Sequence, residues 1–258
     1  MRHDPIDTVK FPLGLVQCIG VAYTFHSSVR ARAKLASARE GHGASDIPFS
    51  YFYKGNLDNL SGHGGDLYLR SDPATGETAV HSPEPELAMY LGEQHSVVGY
   101  CLANDLTASS LEGRSGGGMG DSTYLAKVWT GCGSFGPRIV SAADIRHVDA
   151  VTIGLRILRR GVAVFDSVYS VSERNREIDA IPETIVEKYN SYGGDLPLAK
   201  RVIVDQNGFL AAGTLIMLGT GLDVSGEYHC RVGDVLTVYS EAVGELSNVV
   251  RGVWDGRE

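Results

Sequence analysis

The segment "HSPEPELAMYLG", residues 81–92, places two glutamates, Glu84 and Glu86, on either side of Pro85 and runs straight into an apolar stretch. In an extended chain, residues two apart point to the same face, so both carboxylates would share a side while Pro85 points away. Pro85 also removes a ladder donor, which makes this end of the strand an edge, a bulge or a strand start. Two like charges this close repel unless a cation neutralises them. A hard divalent cation with oxygen ligands would do so, keeping water or substrate oxygens in its remaining positions. The alternative is a pair of solvated rim glutamates met by arginine. A third carboxylate favours the metal: Asp105, 19 residues beyond Glu86 in "GYCLANDLTA", ends the next apolar run. A hairpin of 86–91 and 97–103, turning near Gly92–His95, would return Asp105 to the pair. Lys127 follows in "YLAKVWTGCGSFGP". A lysine there is ordinarily an exposed edge residue; beside a metal-bound oxyanion it would instead stabilise an enolate.

The elements that must position these groups are mostly strands. Glycine supplies 32 of the 258 residues, well above the ~7% of an average chain. These glycines punctuate short runs of Val, Ile, Leu and Tyr, a pattern of strands with many turns. The candidate strands are 15–23, 86–91, 97–103, 151–158, 162–165, 214–218 and 235–240. In 152–158 the alternation of Ile153, Leu155 and Ile157 with Thr152, Gly154, Arg156 and Leu158 predicts a half-buried strand. "RRGVAVF" then reads as a hairpin turning at Gly161. Two helices are expected. One, over 26–40, has serine caps, a thin apolar face and four basic residues, and is read as a surface or lid helix. The other, over 178–193, starts near Pro182 and ends at Gly193 or Gly194. The glycine-rich 113–122 reads as a mobile loop beside the site. No repeat or compositional break divides the chain, so residues 1–15 are read as an N-terminal arm and 16–258 as one domain.

The totals exclude several classes. A hydrophobic share of 43% and a charged share of 21% are those of a soluble globular chain. A net charge of −8 argues against nucleic acid or an anionic membrane as partner, both of which call for a basic surface. No apolar run approaches the ~20 residues of a membrane span. Cys18, Cys101, Cys132 and Cys230 form no CxxC pair and lie in or beside apolar runs, as reduced buried thiols do. The first residues carry acids and prolines where a secretory leader has an apolar run. A cytoplasmic location is expected.

Taken together, "PEPELAMYLG", "VVGYCLANDLTA", "LAKVWTGCGSFGP" and "LIMLGTGL" resemble the fumarylacetoacetate hydrolase superfamily in order and spacing, from about Val16 to Val250. Within it, "GVAYTFHSSVRAR", "YFYKGN" and "GDVLTVYSEAVGELSNVV" are most similar to the 2-keto-3-deoxy-arabinonate dehydratase branch. The resemblance implies an α+β, mainly β fold, a mixed β-sandwich roll, and a homodimer. It implies Mg²⁺ on Glu84, Glu86 and Asp105, with Mn²⁺ or Ca²⁺ as alternatives, and substrate contacts from Lys54, Lys127 and Thr220. Arg30 and the basic residues after it are candidates for a substrate carboxylate, or form a solvated helix face. The chain departs from the family at "NDLTASS", where Ser109 and Ser110 stand in place of an arginine and an aspartate. It also has Val29 where the acylpyruvase branch pairs a glutamate with the histidine that His26 would match.

A cation held by three carboxylates can chelate a 2-oxo acid and acidify its C3 protons. Glu112, His26 and a metal-bound hydroxide are the candidate bases. Solvated, non-catalytic roles are the alternatives for the two side chains, and the remaining histidines, His63 among them, read as surface or turn residues. The first expectation is a Mg²⁺-dependent lyase that dehydrates a 2-keto-3-deoxy sugar acid. The second is a hydrolase or decarboxylase cleaving a carbon–carbon bond in an acylpyruvate-like diketo acid. The third is a repurposed protein of the same fold with altered or lost catalysis.

Overall fold

Eleven strands and two α-helices are ordered around the "PEPELAMYLG" segment in a computed structural model that describes residues 14–27, 49–112, 121–193, 196–224 and 226–254. The strands are β1 (Gln17–Ala22), β2 (Ser50–Gly55), β3 (Asp66–Tyr68), β4 (Pro85–Leu91), β5 (Val97–Asp105) and β6 (Gly133–Ser141), then β7 (Thr152–Arg159), β8 (Val162–Ser170), β9 (Thr214–Met217), β10 (Val235–Ser240) and β11 (Gly244–Arg251). The helices are α1 (Asp121–Lys127) and α2 (Ile181–Ser191). Two mixed sheets result. One has the order β2-β1-β9-β4-β5-β6 and the other β3-β11-β10-β7-β8. Only β1 with β9 and β3 with β11 pair in parallel.

The main core lies between the sheets. Leu87, Met89 and Leu91 of β4 and Leu102 of β5 pack into one buried cluster with Ile153, Leu155, Ile157, Leu236, Val238 and Leu246 of the second sheet. Each such side chain stabilises the fold by about 1.5–3 kcal/mol when fully buried. The period of two then fixes the other face of the first sheet. Ala88 and Tyr90, Cys101 and Ala103, and Leu215 and Met217 form a separate cluster with Cys18 and Cys132. Glu86 and Asp105 share the parity of those residues, so they face away from the inter-sheet core.

The expected β4–β5 hairpin is present. It pairs Glu86 with Ala103 and Tyr90 with Gly99, and a 3₁₀ turn at Glu93–His95 closes it. Arg160 and Gly161, with φ of 53° and 79°, make the β7–β8 turn, the left-handed pair that matches strand twist in two-residue hairpins. The strand expected over 162–165 continues to Ser170. Four strands escape the periodicity argument. The inner face of β2 carries a lysine, β3 is three residues long, β6 contains Gly136 and Pro137, and the strand-like alternation of β11 is masked by polar residues. The helix expected over 178–193 is present as α2, with Pro182 in its first turn. Residues 28–40 of the other expected helix, and 113–120 of the expected loop, lie outside the described residues. From Asp121 onward the loop gives way to α1, which the glycine-rich sequence ahead of it concealed. All four cysteines are free and buried. His81 corrects the reading of the histidines as surface or turn groups. It is 1% exposed, with Nε2 accepting from Arg70 N at 3.0 Å. No helix among the described residues is long and apolar enough to cross a membrane.

Candidate metal centre

The β4–β5 ladder delivers the three carboxylates. Its last pairings are Pro85 with Asn104 and Glu86 with Ala103, and beyond them Asp105 N donates to Glu84 O at 2.9 Å. Glu84, Glu86 and Asp105 therefore stand on one face at one end of the hairpin. Each offers a carboxylate oxygen, and these oxygens all lie within 4.8 Å of one another. Glu86 and Asp105 are sealed, whereas the Glu84 side chain is 25% exposed. The cluster thus opens to solvent on the Glu84 side.

Lys127, in the last turn of α1, enters from above. Its Nζ donates to Glu84 Oε1 at 2.9 Å and Oε2 at 3.0 Å, to Asp105 Oδ2 at 3.0 Å and to Thr107 Oγ1 at 2.5 Å. Burial disfavours the ammonium, but Asp105 and Glu84 outweigh that and hold Lys127 well above its ordinary pKa. Lys54, from β2, sits beneath Asp105 with Nζ 2.5 Å from Oδ1 and no exposure. Burial pushes the Asp105 carboxyl up, yet Lys127 and Lys54 together hold it below the usual range.

Two contacts in the site have no counterpart in the sequence reading. Thr107 Oγ1 donates to Glu84 Oε1 at 2.8 Å, and Gly219 N donates to Glu86 Oε2 at 2.6 Å. Gly219 has φ of +86°, and a Cβ there would lie 2.1 Å from Thr24 Oγ1. Only glycine can bring its N–H to Glu86 in this way. Both residues sit in the quoted motifs "NDLTASS" and "LIMLGTGL", but nothing in residue type distinguishes them from turn formers.

The other expected residues are less closely placed. Glu112 Oε1 is 3.9 Å from Lys127 Nζ with its side chain 46% exposed. Thr220 follows Gly219, is partly exposed, and its Oγ1 accepts from Leu222 N at 3.2 Å. His26 is exposed, one residue beyond Phe25, which bridges to Arg174. Arg30 and Val29 lie outside the described residues. Ser109 and Ser110 tie their turn to the segment before β4, with Ser109 Oγ donating to Val80 O and Val80 N to Ser110 Oγ.

Charge and chemistry together say what the site can hold. Three carboxylates face two ammoniums, so one negative charge lacks a partner. Burial, reinforced by its neighbours, raises Glu86 well above the usual carboxylate range and brings Glu84 up to about 7. A group of carboxylates that takes protons this readily also takes a cation in their place. Three anionic oxygens are the donor set of a hard divalent ion. Octahedral Mg²⁺, with bonds of about 2.1 Å, sets adjacent ligand oxygens about 3 Å apart and opposite ones about 4.2 Å apart. The three oxygens, within 4.8 Å of one another, would have to draw together around the ion to meet that.

Residues 16–251 match the family described as fumarylacetoacetate (FAA) hydrolase C-terminal. The chain is 32% identical over 130 residues to the 2-dehydro-3-deoxy-D-arabinonate dehydratase of Saccharolobus solfataricus, covering 50% of this chain and 40% of that protein. It is 28% identical over 180 residues to the probable 2-keto-3-deoxyxylonate dehydratase of Haloferax volcanii, covering 69% of this chain and 53% of that protein. The chain thus spans about half the length of the curated relatives it matches. Among solved structures, the apo form of 2-keto-3-deoxy-D-arabinonate dehydratase superposes with a TM-score of 0.70 at 20% identity, over 93% of this chain and 74% of that one. A 2-keto-3-deoxy-D-arabinonate dehydratase complexed with magnesium and 2,5-dioxopentanoate gives 0.66 at 20% identity, over 92% and 73%. At that identity the likeness establishes the fold.

Proposed function

The chain belongs to the fumarylacetoacetate hydrolase family, and from that premise we propose that it is a Mg²⁺-dependent hydro-lyase that dehydrates a 2-keto-3-deoxy sugar acid. One observation carries the reading. Glu84, Glu86 and Asp105 converge within 4.8 Å, and Lys127 Nζ is within hydrogen-bond reach of two of them. These three carboxylates would hold the ion, and the magnesium complex of a structural relative supports Mg²⁺. When bound, Mg²⁺ supplies a Lewis-acid charge that polarises the keto group of a 2-oxo acid and acidifies its C3 protons.

The residues around it divide the remaining work. Lys127 Nζ donates to Glu84 and Asp105, and its role in the proposal is that of a positive charge and proton donor. Glu112, half exposed beside Lys127, would take the C3 proton. The C4 hydroxyl leaves with a proton from Lys127 as water, which gives a C3–C4 double bond conjugated to the 2-oxo group. Thr220, next to the glycine that holds Glu86, would contact the substrate on that side, and His26 and Arg30 are retained as candidates for its base and its carboxylate on the family resemblance alone. A cytoplasmic homodimer completes the proposal. The four unpaired cysteines support a reducing compartment, and light scattering at twice the 27.6 kDa chain mass tests the dimer.

Incubation with Mg²⁺ and either 2-keto-3-deoxy-arabinonate or an acylpyruvate, followed by mass spectrometry, tests the reaction. Loss of water from the sugar acid is expected. Release of pyruvate from the acylpyruvate would replace dehydration with carbon–carbon hydrolysis, and turnover of neither would remove catalysis.

The same site sets a pH dependence. The Glu84 carboxyl, at about 7 in the folded chain against an ordinary 4.5, binds more protons folded than unfolded between those values. Its contribution to stability is full below about pH 4.5 and is lost as pH rises through 7. Glu86, also raised, acts in the same direction, while Asp105, lowered, loses its contribution only in stronger acid. The melting temperature of the metal-free protein should therefore fall between pH 5 and pH 8 from this cluster. Excess Mg²⁺ should raise it more at pH 8 than at pH 5, because protons and the ion compete for the same oxygens. An equal Mg²⁺ effect at both pH values would mean that the ion does not bind these carboxylates.

A further inference from the structure

Lys54 has no part in the chemistry above, although it is the most deeply buried cation of the site. The family resemblance makes it a substrate contact, and its surroundings contradict that. Besides Asp105 Oδ1, its Nζ meets Lys127 O at 2.6 Å and Leu106 O at 3.2 Å. Two of its N–H groups donate to these backbone carbonyls and its charge is paired with Asp105 Oδ1, in a pocket with no exposure, which leaves no open approach for a ligand. The stem is enclosed as well. A Cβ on Gly133 would come within 3.1 Å of Lys54 Cε, and the Trp129 ring centroid is 5.4 Å from Nζ.

The three oxygens are not an arbitrary set. Oδ1 belongs to a proposed ligand, and Lys54 holds it from the sealed side while Oδ2 faces Lys127. Lys127 O is the backbone carbonyl of the lysine proposed to meet the substrate, at the end of α1. Leu106 O follows Asp105 where β5 stops. One buried charge therefore joins the open end of the β4–β5 hairpin to the helix that carries Lys127. We propose that Lys54 is a positioning residue: it fixes Asp105 with Oδ2 toward the cation, anchors the Lys127 backbone, and makes no contact with substrate. This rests on the metal-site reading above.

A lysine of purely structural value would affect stability and leave cation affinity unchanged. A substrate contact would affect KM alone. The test uses the full chain with Mn²⁺ as a paramagnetic probe, free Mn²⁺ being read by its EPR signal, together with urea unfolding of the metal-free protein. The variants are Lys54→Met, Asp105→Asn and the double substitution. Lys54→Met should weaken Mn²⁺ binding about 10- to 100-fold, the usual cost of removing a group that orients a ligand. It should lower the urea midpoint in the parent protein and lower it far less, or raise it, in the Asp105→Asn background, where its partner charge is gone. Should Lys54→Met fail to fold, Lys54→Gln keeps a donor without the charge, and the same loss of Mn²⁺ affinity is expected. Unchanged Mn²⁺ affinity, or midpoint shifts that simply add, would overturn the proposal while leaving the metal site intact. A parent chain that takes up no Mn²⁺ would overturn the site reading itself.

Discussion

Replacing Glu86 by glutamine should lower Mg²⁺ affinity at least 100-fold and, in the same protein, make the metal-free state more stable. The two effects have opposite signs because of where Glu86 sits. It is 1% exposed, and its one described hydrogen bond is from Gly219 N. Among the described residues no lysine bonds to it, since Lys127 serves Glu84 and Asp105 and Lys54 serves Asp105. Glu86 is thus the least compensated carboxylate of the three, with Lys127 acting on it only at a distance beyond the Gly219 N–H, and burial raises it well above the usual range. Glutamine keeps the shape and an oxygen for Gly219 but removes that charge. The ion loses an anionic ligand in a site of low dielectric, where a full charge counts for much more than in water. The metal-free chain is relieved of an unpaired buried charge, a gain of about 1–3 kcal/mol at pH 8 on the scale of such penalties. Isothermal titration with Mg²⁺ and urea unfolding in EDTA read the two effects. A loss of stability with unchanged Mg²⁺ affinity would make Glu86 an ordinary structural carboxylate.

Lys127→Met should behave in the reverse way on metal and be far more damaging to turnover. In the metal-free chain the Lys127 ammonium occupies the space between Glu84 and Asp105, with four oxygen contacts of 3.0 Å or less. Removing it takes away a competitor for the same oxygens, so Mg²⁺ affinity should hold or rise. It also strips Glu84 of its ammonium and leaves Asp105 with Lys54 alone, which should cost the metal-free protein about 1–3 kcal/mol, a deficit that Mg²⁺ should largely restore. Dehydration is the third readout. If Lys127 donates to the charge that develops on the substrate, kcat should fall about 10²- to 10³-fold at saturating Mg²⁺, the cost of one such donor. Methionine packs against the Phe52 ring, which lies 5.4 Å from Nζ, so the loss would not come from a void. A kcat within threefold of the parent under saturating Mg²⁺ would remove Lys127 from the chemistry.

These contrasts show where sequence and structure each contributed. Glu84, Glu86 and Asp105 were legible because strand periodicity is rigid. Two carboxylates two apart on one strand, with a third at the end of the partner strand, can only share a face if the hairpin forms. The turn between the strands and the buried alternation of β7 followed from the same rule. Lys127 was found by its motif, although the helix that carries it was not, because the run of glycines before Asp121 obscured the start of α1. β2 was missed as a strand for a related reason. Lys54 breaks its apolar pattern by pointing toward Asp105, so the buried ion pair made its strand hard to recognise.

What the sequence alone determined is the set of three carboxylates and the hairpin that presents it, since both depend on local spacing and on side-chain parity. What only the tertiary structure decided is how the charge is shared. It placed Lys127 on Glu84 and Asp105, sealed Lys54 beneath Asp105, and left Glu86 with a single N–H from a glycine 133 residues away along the chain. That division depends on distances and burial among β2, β5, α1 and the turn after β9. Electrostatic energies in a protein interior vary steeply with both, and neither distance nor burial is written in the order of residues.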